Sequence, residues 1–299
     1  MVDTVKIGSE EHKRLFCEMF IDTHDPFLPS GIAWPELDGE ALGRLRALPV
    51  WNEASRTEAS TAVKVQALGR AEKDPLLAKA ISLQGYEEAR HAEVIDRLTK
   101  RYGIPVEPAR EPLEPSNPTW AFLRTGYGEC LDSFFAFGLF AIGGRSGLFP
   151  EKIVQIFGTI MQEEARHILF IVNWAAYLRA RRPLALRPIF DTRRAWNIVA
   201  QAFNRVRGAM AMKGSESQDG FTLKSHASFG DFSLRSFLEL CLAENERRFA
   251  HYDSRLLRPT LVPGTVRLLL RVLPRSARPT GPGAEPPRAE SLDSPEHMA

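Results

Sequence analysis

The pentapeptide Glu87-Glu88-Ala89-Arg90-His91 returns unchanged as Glu163-Glu164-Ala165-Arg166-His167. Each copy lies inside a long stretch of helical composition. Within each copy a Glu and a His stand three apart, as Glu88/His91 and Glu164/His167. Residues at that spacing share one helix face. Both faces continue in apolar residues: Ile95 and Leu98 after the first copy, and Phe157, Ile160, Ile168 and Ile171 around the second. The two Glu-x-x-His pairs are therefore expected to point into a core. One such pair alone would be read as a solvated helix face; two in an identical pentapeptide constrain the chain far more. Burying an unpaired carboxylate is very costly, so a fold that joins these faces has to place positive charge between them.

Helix punctuation supplies the rest of the framework. Residues 1–47 read as an N-terminal arm with short helical pieces. Residues 48–72 have helical composition, and Pro49 suits a first turn. Asp74-Pro75 marks a turn and a new helix, which runs to about Arg101 with Gly103 fitting its C-cap. Pro105, Pro108, Pro112, Pro115 and Pro118 make residues 103–118 an extended connection. Ser116 fits the N-cap of a third helix reaching Gly143-Gly144, and Pro150 opens a fourth that stops before Pro183. The expected architecture is all-α. A four-helix bundle spans 48–182, and accessory helices near 188–212 and 232–257 lie within 183–273. A Gly/Ser-rich loop (213–220) begins the stretch between those two helices. A tail over 274–299, rich in Pro, Gly, Ser and Arg, is expected to be disordered.

Two further carboxylates follow from hairpin geometry, because residues equidistant from a turn lie level. Glu58 and Glu88 are symmetric about Lys73, and Glu129 and Glu164 about the middle of the Gly143–Pro150 turn. Glu53 falls about 7 Å too far along and Asp132 about 4.5 Å, at 1.5 Å per residue. The expected ligand set is Glu58, Glu88, His91, Glu129, Glu164 and His167. Four carboxylates balance two divalent ions, and a mixed oxygen and nitrogen set suits iron or manganese. For Glu87, Arg90, Glu163 and Arg166 two readings stay open. They are plain surface charges, or they form an outer ring in which Glu87 takes the second N–H of His167, Glu163 that of His91, and the arginines hold both carboxylates.

Composition narrows the classes. Net charge is +2, which gives no electrostatic case for nucleic acid. The three cysteines (Cys17, Cys130, Cys241) form no CxxC pair, so no zinc ribbon, rubredoxin-type iron site or disulfide framework is expected. The N-terminus is charged and lacks an apolar signal core. The longest apolar run, Phe134 to Gly144, is far shorter than the roughly 18 residues of a membrane span. A reducing, cytoplasmic setting is the expectation.

One Glu from each of two helices with a Glu-x-x-His from each of two others is the pattern of di-iron and di-manganese carboxylate bundles. Over roughly residues 50–182 the chain resembles the ferritin-like superfamily. Its paired E-E-A-R-H motifs are similar to those of the di-iron oxygenases and oxidases: bacterial multicomponent monooxygenases, acyl-carrier-protein desaturases and the ribonucleotide reductase small subunit. The resemblance implies a ferritin-like four-helix bundle with additional C-terminal helices. It also implies two iron ions (or a mixed Fe/Mn pair) and O2 activation to oxidise a small organic molecule, with an apolar substrate among the options. No flavin, ferredoxin or nicotinamide signature is present, so it implies an external electron-donor protein. A homodimer stays open. The other class it allows is a ferroxidase, a storage protein or a rubrerythrin-like peroxide scavenger.

Departures from the pattern matter. Ile95 stands where the reductase subunit has its radical tyrosine. Ser133 stands where monooxygenases have a threonine, so it reads either as a proton relay or as a packing serine. Gly126 and Gly128 before Glu129 read either as room beside the metals or as close helix packing. Finally, residues 264–275 form a short basic amphipathic segment, with Arg267 and Arg271 on one face and Leu268, Leu269, Val272 and Leu273 largely on another. Packing on the bundle is the expected reading, and contact with an anionic membrane the other.

Overall fold

The computed structural model describes residues 5–48, 50–108, 111–147, 149–214 and 233–274. The first-turn role given to Pro49, most of the loop beginning at 213, and the tail beyond residue 274 lie outside the described residues. Among the described residues the chain forms nine α-helices, two short 3-10 turns (Pro29–Gly31 and Leu184–Leu186) and no strand. They are α1 (Glu10–Asp22), α2 (Gly39–Ala47), α3 (Trp51–Ala71), α4 (Pro75–Arg101), α5 (Pro118–Arg145), α6 (Glu151–Ala180), α7 (Arg187–Gly214), α8 (Leu234–Phe249) and α9 (Leu261–Val272). Among the described residues no helix is long and apolar enough to cross a membrane.

Local chemistry sets the long helices. The Asp74 side chain accepts from Leu76 N and Leu77 N, and Pro75 fills the first position, where a missing N–H costs nothing. α4 ends at Arg101, and Gly103 follows with φ 58°. The cap of α5 is Asn117, not Ser116: its side chain accepts from Trp120 N. α5 then runs past the Gly143-Gly144 pair to Arg145. The second accessory helix stops at Phe249, short of 257, and a separate helix, α9, follows.

α3–α4 and α5–α6 are two antiparallel hairpins, packed on each other through α3·α5 and α4·α6. The main core lies between them, with Val65, Leu68, Ile81, Phe122, Phe137, Ile168 and Trp174 among its buried members. α1 belongs to this core. Phe16, Cys17 and Phe20 are fully buried, and α1 lies across α4 and α6. A second cluster of Leu45, Trp51, Ile95, Leu98 and Tyr102 involves α2, α3 and α4. α8 packs on α5, and α9 packs on α8 and α5. Val266, Val262 and Leu270 join Phe134, Phe237 and Leu238 in a third cluster.

Hairpin registers differ from those counted about the turns. In α3–α4 the close approaches are Gly69 to Ser82 and Gly85 to Gln66, which centre the pair between Pro75 and Leu76 rather than at Lys73. In α5–α6 they are Gly126 to Ile171 and Gly158 to Phe140, which centre it near Phe149. In that hairpin the shift has a plain cause, since α5 continues beyond its glycines and carries the turn with it. Gly126 and Gly128 serve packing. A Cβ at Gly126 would overlap Ile171 Cγ2 of α6, and one at Gly128 would lie 2.8 Å from Arg205 of α7. α5 has no bulge at these positions.

Candidate metal centre

The buried stripe of α4 carries Gln84, Glu87, Glu88, Arg90 and His91, and that of α6 carries Glu163, Glu164, Arg166 and His167. So many ionisable groups stay buried only if they satisfy one another. They do so across the α4·α6 interface with near two-fold reciprocity. His91 Nε2 donates to Glu163 Oε2 at 2.8 Å, and His167 Nε2 donates to Glu87 Oε2 at 2.8 Å. The other oxygen of each carboxylate accepts from the arginine of the opposite motif: Arg90 Nη2 donates to Glu163, and Arg166 Nη2 to Glu87.

With both Nε2 atoms committed outward, the Nδ1 atoms turn inward. His91 Nδ1 lies 3.1 Å from Glu164 Oε1, and His167 Nδ1 lies 3.0 Å from Glu88 Oε1. Neither Nδ1 makes a well-directed hydrogen bond. The two rings stack with centroids 5.5 Å apart. Ligand atoms of Glu88, His91, Glu164 and His167 all fall within 4.8 Å of one another, and all four residues are buried. This is a buried Glu/His cluster with the donors and the convergence to hold a metal ion.

Glu58 and Glu129 border the four. Glu58, partly exposed on α3, has Oε2 3.7 Å from His91 Nδ1, as the shifted register dictates. Glu129 lies outside the tight group. The register of α5–α6 offsets it from Glu164 by about 6 Å at 1.5 Å per residue. Both Glu129 carboxylate oxygens are nevertheless buried without a hydrogen-bond partner. An ionised carboxylate in that state is costly unless a cation meets it. Asp132 and Glu53 are elsewhere: Asp132 pairs with Arg205 of α7, and Glu53 with Arg56 on the surface. Ser133 is buried on α5, one turn beyond Glu129.

Electrostatics follow the same division. Desolvation, reinforced by Glu88 and Glu164, holds Glu129 well above the usual carboxylate range. Desolvation with Glu164 and Glu88 nearby pushes Glu58 up to about 8. Desolvation works against the ionised form of Glu88 too, but His167 and His91 outweigh it and hold Glu88 low. Both imidazoles are raised well above their ordinary value. For each, desolvation opposes the charge, while Glu163 and Glu164 favour it on His91 and Glu88 and Glu87 favour it on His167. These shifts favour protons on Glu58, Glu129 and both imidazoles, and a divalent ion bound here would compete with them.

Sequence reasoning missed the segment that covers the outer ring. From the last turn of α1 onward the chain passes over the backs of both motifs. Phe20 O accepts from Arg166 Nη1 at 3.0 Å, Asp25 O from Arg90 Nη1 at 2.6 Å, and Phe27 O from the same Nη1 at 3.1 Å. The rings join in: Arg90 sits 3.9 Å over Phe27, and Arg166 sits 4.6 Å over Phe20. His24 Nδ1 bonds Glu87 Oε1, the oxygen that Arg166 also holds. Against desolvation, His167, Arg166 and His24 together hold Glu87 down at about 2. His24, Glu87 and Glu163 also converge, but each carboxylate already faces an arginine, so this outer group is not a second cation site. A lone histidine in a polar turn has no period to betray it. The only signal was the Phe16, Cys17, Phe20 stripe of α1, which predicts that the following residues start from the core. Two further neighbours were also missed. Gln84 Nε2 donates to Glu88 Oε1 at 3.4 Å, and Lys64 on α3 feels Glu129 and Glu88 while burial lowers its pKa.

His24 breaks the two-fold pattern, because only Glu87 has this third partner. If the cluster holds a metal ion, replacing His24 with Ala should weaken its binding by less than the roughly 10- to 100-fold expected for losing Glu87 itself, because His24 acts on His167 only through Glu87. Competition with a chromophoric chelator measures it. Unchanged affinity would make His24 a bystander.

No protein-family model, curated protein or solved structure matches the chain.

Proposed function

We propose that this chain is a ferritin-like di-iron carboxylate protein, and that it activates O2 to oxidise a small organic substrate. The observation that carries the reading is the pair of buried, inward-turned Nδ1 atoms on His91 and His167, set among carboxylates, each with its Nε2 anchored to an outer glutamate. In that reading α3–α6 form the four-helix bundle. Glu88, His91, Glu164 and His167 hold the ions, with Glu58 and Glu129 closing the set from α3 and α5. Iron, or an iron–manganese pair, supplies the binding and reduction of O2. The chain's part is to fix both imidazoles through Glu87 and Glu163, to keep the cluster dry, and to let partly exposed Glu58 exchange a proton with solvent. Electrons come from a separate protein, and the chain is an enzyme.

Anaerobic addition of ferrous iron followed by oxygen-electrode measurement tests the reading. The expected result is saturation near two irons per chain, with O2 uptake only when an external reductant is supplied. Uptake of iron far beyond that, with oxidation needing no donor, would move the chain to the ferroxidase and storage class. Failure to retain iron would end both readings.

A further inference from the structure

The inner face of α8 buries three polar side chains among its apolar ones: Glu244, Asn245 and Arg248, which are 4%, 8% and 3% exposed. Glu244 is satisfied at both oxygens. Its Oε1 accepts from Arg145 Nη2 of α5 at 3.1 Å, and its Oε2 from Arg247 Nε at 2.9 Å. Arg248 has no such partner. Its Nε is buried without a hydrogen bond, and no acceptor or carboxylate of the described residues meets its guanidinium. Aromatic rings lie against it instead, with centroids at 4.8 Å for Phe137 and 5.8 Å for Phe140. The backbone of Arg248 is tied to α6, because its carbonyl accepts from Gln162 Nε2 at 3.3 Å. Asn245 stands three residues before Arg248 on the same face of α8, and its amide also makes no hydrogen bond among the described residues.

A buried cation without a counter-charge costs more than two phenyl faces return. Desolvation, with Arg247 alongside, pulls Arg248 down to about 10. No acid of the described residues is free to relieve it. Glu244 already serves two arginines, and neighbouring Glu246 turns to Arg267. Arg145, Arg247 and Arg248 thus share one carboxylate, and the partner that completes the set is an anion. Its chemistry follows from what Arg248 has left to offer. Rings take the flanks of the guanidinium, so its fork of N–H donors remains. A planar carboxylate matches that fork with two parallel bonds, and the Asn245 amide can donate a third. A phosphate dianion brings more charge than one guanidinium balances at this depth.

We propose that Arg248 and Asn245 form a binding site for the carboxylate of a small organic acid, set between α5, α6 and α8 beside the rings of Phe137 and Phe140. Phe137 stands about 12 Å along α5 from Glu129 at 1.5 Å per residue. The site does not depend on the metal reading.

Calorimetric titration of the full chain at constant ionic strength tests it, with acetate, benzoate and octanoate as probes. At least one of the three should bind at one site per chain. Benzyl alcohol and octanol, which lack the charge, should not bind, and inorganic phosphate should bind more weakly than the best acid. Arg248→Met should weaken that binding about a hundredfold. Arg248→Lys keeps the charge but loses the fork, and should weaken it about tenfold. Metal content should be unchanged in both variants. The proposal is overturned if none of the three acids binds, if phosphate binds more tightly than all of them, or if Arg248→Met binds as well as the parent. Should Arg248→Met fail to fold, Arg248→Lys decides, and an affinity equal to that of the parent overturns the site.

Discussion

A chain carrying both His91→Ala and His167→Ala is expected to emerge from iron-supplemented growth with essentially no bound metal, against about two ions in the parent. Each substitution removes an inward nitrogen and also leaves an outer glutamate, Glu163 or Glu87, with one partner fewer in a dry setting. The thermal consequence separates ligand loss from misfolding. A ligand that binds only the folded state stabilises by about 2.7 kcal/mol at a hundred times its dissociation constant. Chelation should therefore lower the melting temperature of the parent and leave that of the double variant where it was. Affinity in the parent should climb with pH, since the ion displaces protons that Glu88, Glu163 and Glu164 hold on the imidazoles. Metal content unaffected by the double substitution would refute the ligand assignment.

Arg90→Met should cost about 3–5 kcal/mol of folding stability, the usual result of stripping one partner from a buried ion pair. The guanidinium serves Glu163, two backbone carbonyls and the Phe27 ring at once. Adding Glu163→Gln to that variant removes the stranded charge and should restore part of the loss, so urea unfolding of the four proteins should be clearly non-additive. Simple additivity would show that Arg90 acts by packing alone. The acid side follows by sign. Glu87 is depressed to about 2, so its contribution is complete above its unfolded value near 4.5 and disappears as pH falls from there towards 2. Glu163 is also lowered and acts in the same direction.

What was legible in the sequence is what repeats along a helix. The spacing in Glu88/His91 and Glu164/His167, with buried Ile95, Leu98, Ile160 and Ile168 on the same faces, foretold that the two motifs would meet. Proline, glycine and cap residues gave the ends of α3 to α6 to within a few positions, while the accessory helix expected to reach 257 ends at Phe249. Register was harder. Counting from a turn assumes helices that end where the punctuation stands, and α5 outruns its glycines, which is why Glu129 sits off the tight group. The covering segment was out of reach for a different reason. Its contacts are made largely by backbone carbonyls of Phe20, Asp25 and Phe27 across sequence separations of 63 to 146 residues, and carbonyls leave no trace in residue type.

The passage of residues 20–27 over Arg90 and Arg166 would make the N-terminal segment a thermodynamic partner of any ion that the Glu/His cluster holds. Whatever free energy a bound ion contributes to keeping that segment docked, the docked segment returns in affinity for the ion, by the same factor. Chains emptied of metal should therefore be cut by proteases first between α1 and α2. Anything that pulls on or captures the residues before Phe27 becomes, with no contact to the cluster, a means of releasing its ions.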